Sequence, residues 1–154
     1  MQSTPTSNEP ADRAAWMRVL ALADPDRLDV LYDALEPLPD YRVLREPQTG
    51  MAMVRGRSGG TGDPFNLGEV TVTRCAITLD PGVMGVAYVQ GRGRRHARQA
   101  AVADALMQLP DWRERIERDL LQPLAREQAE RVARRAGAAD QSRVEFFTMV
   151  RGDD

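Results

Sequence analysis

The chain has 154 residues, 42% of them hydrophobic, and a formal net charge of −2 at pH 7. The length and the apolar fraction fit one globular unit with an ordinary core, and the charge argues against a general nucleic-acid binder, which is markedly basic as a rule. The single cysteine, Cys75, excludes an internal disulfide, and the lack of a long apolar run predicts a soluble cytoplasmic protein without a membrane segment.

The basic residues are all of one type: the 21 positive side chains are arginines. Without lysine, a Schiff base and a Walker-type nucleotide loop are excluded, so a bound phosphate would be held by guanidinium and backbone groups. Residues 55–98 hold seven arginines against three acids. An anion site is expected there, unless these are scattered solvated arginines. One histidine and one cysteine are a poor ligand set, so we expect no metal bound by this chain alone.

The N-terminal third is predicted to be helical. Residues 11–24 follow a helical apolar face. Asp24 and Pro25 then read as an N-cap followed by proline at the first helical position of a second helix, which carries an apolar stripe through Leu35.

The middle of the chain has the pattern of strands. Segments 41–46 and 51–57 flank the turn residues PQTG and predict a hairpin. Segment 68–79 alternates over a long run and turns at DPG into 83–90, which predicts an antiparallel sheet of about four strands. The intervening segment 58–67 is too long for a tight hairpin, and long ordered loops in compact domains are often functional.

The C-terminal third returns to helix and ends in a different pattern. An alanine-rich helix over 96–109 precedes a second helix that starts at Pro110 and must kink or divide at Pro123. The tail is apolar and needs a cover. We expect partner contacts from Phe146, Phe147, Met149 and Arg151.

These elements predict an α+β fold with N-terminal helices, an antiparallel sheet, two C-terminal helices and an extended tail. The predicted boundaries are a disordered N-terminus at 1–10, a single domain at 11–140 and a tail for subunit contact at 141–154.

A glycine-rich loop precedes the long strand. Gly59, Gly60, Thr61 and Gly62 predict either a turn that needs positive φ or a backbone cradle for an anion. Arg74 ends the following apolar run and lies on the face of Val70 and Val72 unless a bulge intervenes. An arginine among apolar neighbours is a candidate for an ion pair or a ligand contact.

A second cluster, 91-GRGRRHARQ-99, crowds arginines into the first turn of a helix. A helix N-terminus attracts anions and is disfavoured by cations, so Arg92 and its neighbours either form a polyphosphate site or are solvated loop residues. His96 is the only histidine. It is either a structural residue or the one candidate for acid–base catalysis, and no other catalytic residue is identified.

Three blocks carry a resemblance to a known family: 59-GGTGDPFNLGEVTVTR-74, 88-YVQGRGRRHARQAAVADALMQ-108 and 142-SRVEFFTMVRGD-153. They closely resemble the PhnG subunits of the bacterial carbon-phosphorus lyase system, and the helix around 16-WMRVLALA-23 fits as well. The resemblance covers nearly the whole chain.

The resemblance implies a role in phosphonate catabolism. It implies a core complex with PhnH, PhnI and PhnJ, to which ATPase-like subunits dock, acting on MgATP and an alkylphosphonate. Adenine leaves and ribose 1-alkylphosphonate 5-triphosphate forms, with the nucleosidase chemistry ascribed to PhnI and the iron-sulfur radical chemistry to PhnJ. The chain is then a required subunit of a transferase without independent activity, or a scaffold without substrate contact. No cofactor, nucleic acid or membrane is expected for the chain itself.

Overall fold

The computed structural model describes residues 9–80 and 82–142. The predictions for 1–8 and for the tail at 143–154, with Phe146, Phe147, Met149 and Arg151, lie outside the described residues. The described part forms, in order, α1 (Glu9–Ala21), α2 (Pro25–Asp33), β1 (Tyr41–Arg57), β2 (Pro64–Leu79), β3 (Val83–Gln90), α3 (Arg94–Met107), α4 (Pro110–Ile116) and α5 (Gln122–Gln141). None of these helices is both long and apolar enough to cross a bilayer.

The predicted α+β class and the antiparallel sheet are confirmed. The strands lie in the order β1-β2-β3, and both neighbouring pairs are antiparallel. The sheet in the described residues has three strands instead of about four, because the predicted hairpin over 41–57 is wrong and this whole segment is the single strand β1.

Pro47 explains why a turn was predicted where a strand continues. The pairing of β1 with β2 shifts between Val43 and Arg45 and again between Arg45 and Gln48, so the proline lies in an irregular part of the strand. β1 is also an edge strand of this sheet. Edges and bulges are the positions at which a strand tolerates a residue without a backbone N–H.

The predicted long loop at 58–67 is shorter in the structure, because β2 begins at Pro64. The connection is a 3₁₀ turn at Ser58–Gly60 followed by three residues. The distal halves of β1 and β2 therefore form a long two-stranded arm. Its large apolar side chains are exposed: Met51, Met53, Phe65 and Leu67.

The helix cap and the helix division that the sequence predicts are both present. Asp24 caps α2, with its Oδ1 accepting from the Arg27 N–H at 3.0 Å, and Pro25 is the first helical residue. The predicted division at Pro123 is also present. A π-helical turn, Glu117–Leu121, separates α4 from α5 just before the proline, whose missing N–H and bulky ring disturb the preceding helical turn.

The core lies between α3 and the inner face of the sheet. Gly85 on β3 allows the closest approach, since a Cβ at this position would overlap the Ala101 carbonyl oxygen of α3. The alanine-rich sequence of α3 has the same effect, because small side chains let the helix lie near the strands. α1 lies beside β3, while α2 and α4 pack on α3.

A buried carboxylate joins α1, α3 and β3. Asp104 of α3 is 0% exposed, and it accepts from Arg13 Nε at 3.2 Å and Nη2 at 2.8 Å. It also accepts from Trp16 Nε1 and from the Val86 backbone N–H, each at 2.9 Å. Both carboxylate oxygens are thus saturated by donors from α1 and β3, which is the condition under which a buried charge is tolerated.

Asp104→Ala is expected to lower the free energy of unfolding by about 3–5 kcal/mol, because it leaves a guanidinium, an indole N–H and a backbone N–H without their acceptor. Urea denaturation of the full-length chain measures this. The matched control is Glu127→Ala, which breaks an exposed pair between α5 and Arg27 of α2 and should cost about 1 kcal/mol or less. Equal losses in the two variants would contradict the special role of Asp104.

Candidate basic groove

The structure separates the residues that the sequence singled out. Gly59–Gly62 lie at the tip of the arm, whereas Arg92 and His96 lie after β3, where the Gly91 N–H donates to the Thr71 carbonyl at 2.7 Å. The strand from Thr71 to Pro64 spans roughly 23 Å at about 3.3 Å per residue. The glycine loop and the arginine turn therefore do not form one site within this chain.

The geometry of the glycine loop is that of a tight turn. Gly59 and Gly60 have φ of 62° and 79°, in the left-handed region that favours glycine. The Gly62 N–H donates to the Ser58 carbonyl at 3.0 Å, and a Cβ at Gly62 would lie 2.8 Å from that oxygen. Backbone conformation and close packing thus account for the three glycines.

Arg74 is exposed on the outer face of the sheet, opposite the face that α3 covers. Its register partners are Gln48 on β1 and Tyr88 on β3, and Tyr88 is exposed too. The opposite face of β2 is the buried one, with Thr73 fully buried. A guanidinium beside an exposed aromatic ring fits contact with another molecule better than a core ion pair.

The turn that carries Arg92 is held by a buried threonine. Thr73 Oγ1 donates to the Gly91 carbonyl at 2.7 Å and accepts from Thr49 Oγ1 at 3.0 Å. Gly91 has φ of 93°, which side-chain-bearing residues rarely adopt. Arg92 is consequently exposed on a fixed turn.

Part of the arginine cluster has a structural role. Arg95 pairs with Asp29 at 2.6 Å and with Asp33 at 3.5 Å, and Arg98 pairs with Glu46 at 2.9 Å. These pairs tie the start of α3 to α2 and β1, which offsets the unfavourable placement of cations at a helix N-terminus. Within the described residues, Arg92 has no such pair.

His96 is buried, with 4% of its surface exposed. Its Nε2 donates to the Leu20 carbonyl at 2.7 Å in the neutral tautomer and so joins α3 to α1. Burial lowers the pKa of His96 below the ordinary value of 6.5, and the Leu20 carbonyl and Asp24 partly oppose that shift. The neutral ring forms part of the wall of a groove, and its Nε2 is already used in the hydrogen bond to the Leu20 carbonyl.

A groove of about 390 Å³ lies against His96, between the end of α1, the end of β3 and α5. It brings together side chains that the sequence analysis did not select. The polar lining residues are Arg18, Gln90, His96, Gln128, Arg131 and Arg135. Of the site residues predicted from the sequence, His96 is the one that lines this groove. Arg92 lies in the turn between Gln90 and His96 and is not part of the lining.

The spacing of Arg131 and Arg135 was the available signal. They are four residues apart on α5, so they share a helix face and repel each other. Residues selected only to stabilise a helix would not place like charges at this spacing. Their place beside Arg18 depends on how α5 packs on α1, where Gln128 Nε2 donates to the Val19 carbonyl at 2.6 Å. The spacing of residues in the sequence does not predict how α5 packs on α1.

The side chains that line the groove suit the binding of oxyanions. Among the described residues, no three His, Cys, Asp or Glu side chains are grouped as metal ligands. Cys75 is in the core, where burial raises the pKa of its thiol. Guanidinium and amide groups hold oxyanions, but they do not transfer protons near pH 7.

The comparisons with known proteins agree with the resemblance of the three sequence blocks. The model of a family described as "Phosphonate metabolism protein PhnG" matches residues 11–152. The chain is also 42% identical over 156 aligned positions to a protein of Rhizobium meliloti (strain 1021) named "Alpha-D-ribose 1-methylphosphonate 5-triphosphate synthase subunit PhnG". That alignment covers 100% of this chain and 99% of the relative.

His96→Gln is expected to flatten the dependence of stability on pH. The pKa of His96 is lower in the folded state than in the unfolded state. At pH values between these two pKa values, the unfolded state therefore binds more protons than the folded state. The contribution of His96 to stability is full above about pH 6.5 and is lost as the pH falls. Denaturation of the wild-type chain at about pH 7.5 and 5.5 should show this loss. His96 is the only histidine in the sequence, so the variant has none. An equal loss of stability between these pH values in the variant would contradict the assignment of the pH dependence to His96.

Proposed function

The chain belongs to the PhnG family of phosphonate metabolism proteins, and on that premise we propose that it is a required subunit of a synthase that transfers the ribose 5-triphosphate moiety of MgATP to an alkylphosphonate. Adenine is the leaving group. The partners are the PhnH, PhnI and PhnJ subunits of a carbon-phosphorus lyase core, with ATPase-like subunits docking to it. The chain has no activity by itself and works in the cytoplasm.

The observation that carries this proposal is the full-length likeness to a relative that is named as a subunit of such a synthase. A likeness over a single motif would support only a shared fold element, whereas this one includes the helices, the arm and the turn after β3. The groove chemistry is consistent with a subunit that binds anions and leaves catalysis to a partner.

The reaction places two strongly anionic groups together, a triphosphate and a phosphonate. Their repulsion has to be offset while the sugar–oxygen bond forms, and fixed guanidinium groups do this without a proton transfer. Arg92 is exposed on a turn that Thr73 holds in place, so we assign it to this task. His96 then shapes the groove wall instead of acting as an acid or base.

The other predicted residues fit partner contact better than substrate contact. Arg74 lies on the open sheet face, and Gly59–Gly62 end an arm whose apolar side chains are exposed. Exposed apolar groups of this size on a projecting hairpin are typical of interaction surfaces. The tail, with Phe146, Phe147, Met149 and Arg151, is proposed to anchor on a neighbouring subunit.

Omission of this chain from a reconstituted mixture of the other core subunits, MgATP and methylphosphonate is expected to abolish formation of the sugar phosphonate ester. Phosphorus NMR follows the ester directly. Adding the chain back restores the signal, and adding the heat-denatured chain is the control. Ester formation at an unchanged rate without the chain would contradict the proposed function.

Arg74→Ala is expected to reduce co-purification with the other subunits, whereas Arg92→Ala should leave assembly intact and reduce ester formation. Deletion of 142–154 should also block co-purification. Affinity capture of a tagged partner gives the assembled amount, and Arg126→Ala on the exposed side of α5 is the control. Normal assembly of the Arg74 and tail variants would contradict their docking roles. Loss of assembly in Arg92→Ala would move this residue to the interface.

A further inference from the structure

We propose that the groove lined by Arg18, Arg131 and Arg135 binds the phosphoryl chain of a polyphosphate, here the triphosphate of the nucleotide. The assignment to a polyphosphate is carried by the groove itself. The identification with the nucleotide rests on the function proposed above.

The charge of the groove is positive. The groove presents three guanidinium groups, and no Asp or Glu is among its lining residues. A groove of similar size between α2, β1 and α3 differs in this respect: it contains Asp33 and Glu36 beside Arg95. There the arginines are compensated internally, as the pairing of Arg95 with Asp29 and Asp33 shows. A groove with three cations and no carboxylate in its lining has the electrostatic potential to concentrate an anion.

The guanidinium groups of the groove keep donors available for a ligand. None of the three arginines forms an ion pair with a carboxylate in the described part of the chain. Arg131 donates from Nη2 to the Leu22 carbonyl at 3.1 Å, which orients the planar group and leaves its other N–H groups free. A guanidinium has five donors, so one backbone contact fixes it without exhausting it.

The spacing of the cations along α5 also favours a bound anion. Arg131 and Arg135 are one helical turn apart, at a rise of about 6 Å, and like charges at this spacing destabilise a helix. Arg18, on a different helix, adds a third cation to the same groove. A bound anion offsets the repulsion between these cations, which favours a ligand over a surface ion network.

The cationic lining is more extended than a single phosphate group. The cations come from two helices and spread along a groove of about 390 Å³, with the side-chain amides of Gln90 and Gln128 in the same lining. A single phosphate or phosphonate reaches only part of this array, whereas a chain of phosphoryl groups contacts several guanidinium groups at once. Each further contact adds a charge-assisted hydrogen bond.

Titration calorimetry of the purified full-length chain at low salt tests the inference with inorganic tripolyphosphate as the probe, and with MgATP, methylphosphonate and phosphate in separate arms. We expect tripolyphosphate and MgATP to bind and to compete with each other, and phosphate and methylphosphonate to bind at least tenfold more weakly. Raised salt should weaken the binding, because the contacts are ionic.

The variant Arg131→Ala/Arg135→Ala should weaken tripolyphosphate binding by at least about tenfold, the factor expected for losing charged hydrogen bonds. Arg126→Ala/Arg134→Ala is the matched control, because it removes the same charge from the same helix outside the groove. Arg18→Ala should weaken binding separately from α5. Circular dichroism confirms that each variant is folded.

Equal losses in the two double variants would reduce the effect to net charge and overturn the inference. Absence of tripolyphosphate binding, or equal affinity for a single phosphate, would do so as well. If the chain restores ester formation in the reconstituted mixture but binds no polyphosphate, the inference fails while the proposed function stands. If it binds tripolyphosphate but does not restore ester formation, the groove stands as a polyphosphate site and the assignment to this nucleotide fails.

Discussion

The buried carboxylate of Asp104 is the constraint from which the rest of the structure follows. It takes hydrogen bonds from α1 and from the backbone of β3 while lying on α3, so the three elements have one relative placement that leaves no donor unsatisfied. The packing of α3 on the sheet is compatible with this only because Gly85 and the alanines allow a close approach. A polar requirement and a steric one thereby specify the same geometry.

The basic groove is a consequence of that placement. Once α1 is fixed beside β3, its C-terminal end lies over the start of α3, where His96 binds the Leu20 carbonyl. α5 then crosses α1, with Gln128 and Arg131 donating to carbonyls at its end. The cations that line the groove come from elements far apart in the sequence. Their proximity is a property of the fold, and a partner that shifted α5 would alter the site.

The sequence predicted local features better than features that depend on packing. The cap at Asp24, the division before Pro123 and the α+β class follow from local rules and are present in the structure. The predicted hairpin over 41–57 was wrong because β1 continues through Pro47. The edge position and the irregular pairing that allow this depend on the tertiary structure. Spacing selected Arg92 as a candidate for anion binding. It did not reveal Arg18, Arg131 and Arg135, since helix-to-helix packing brings them together.

The most direct test of the central claim, that this chain serves the reaction by holding a polyphosphate, is a steady-state comparison in the reconstituted complex. The KM values for MgATP and for methylphosphonate are measured in ester formation with the wild-type chain and with Arg131→Ala/Arg135→Ala. The account predicts a higher KM for MgATP and an unchanged KM for methylphosphonate, because only the triphosphate contacts the groove. Two unchanged values, or a change confined to methylphosphonate, would contradict it.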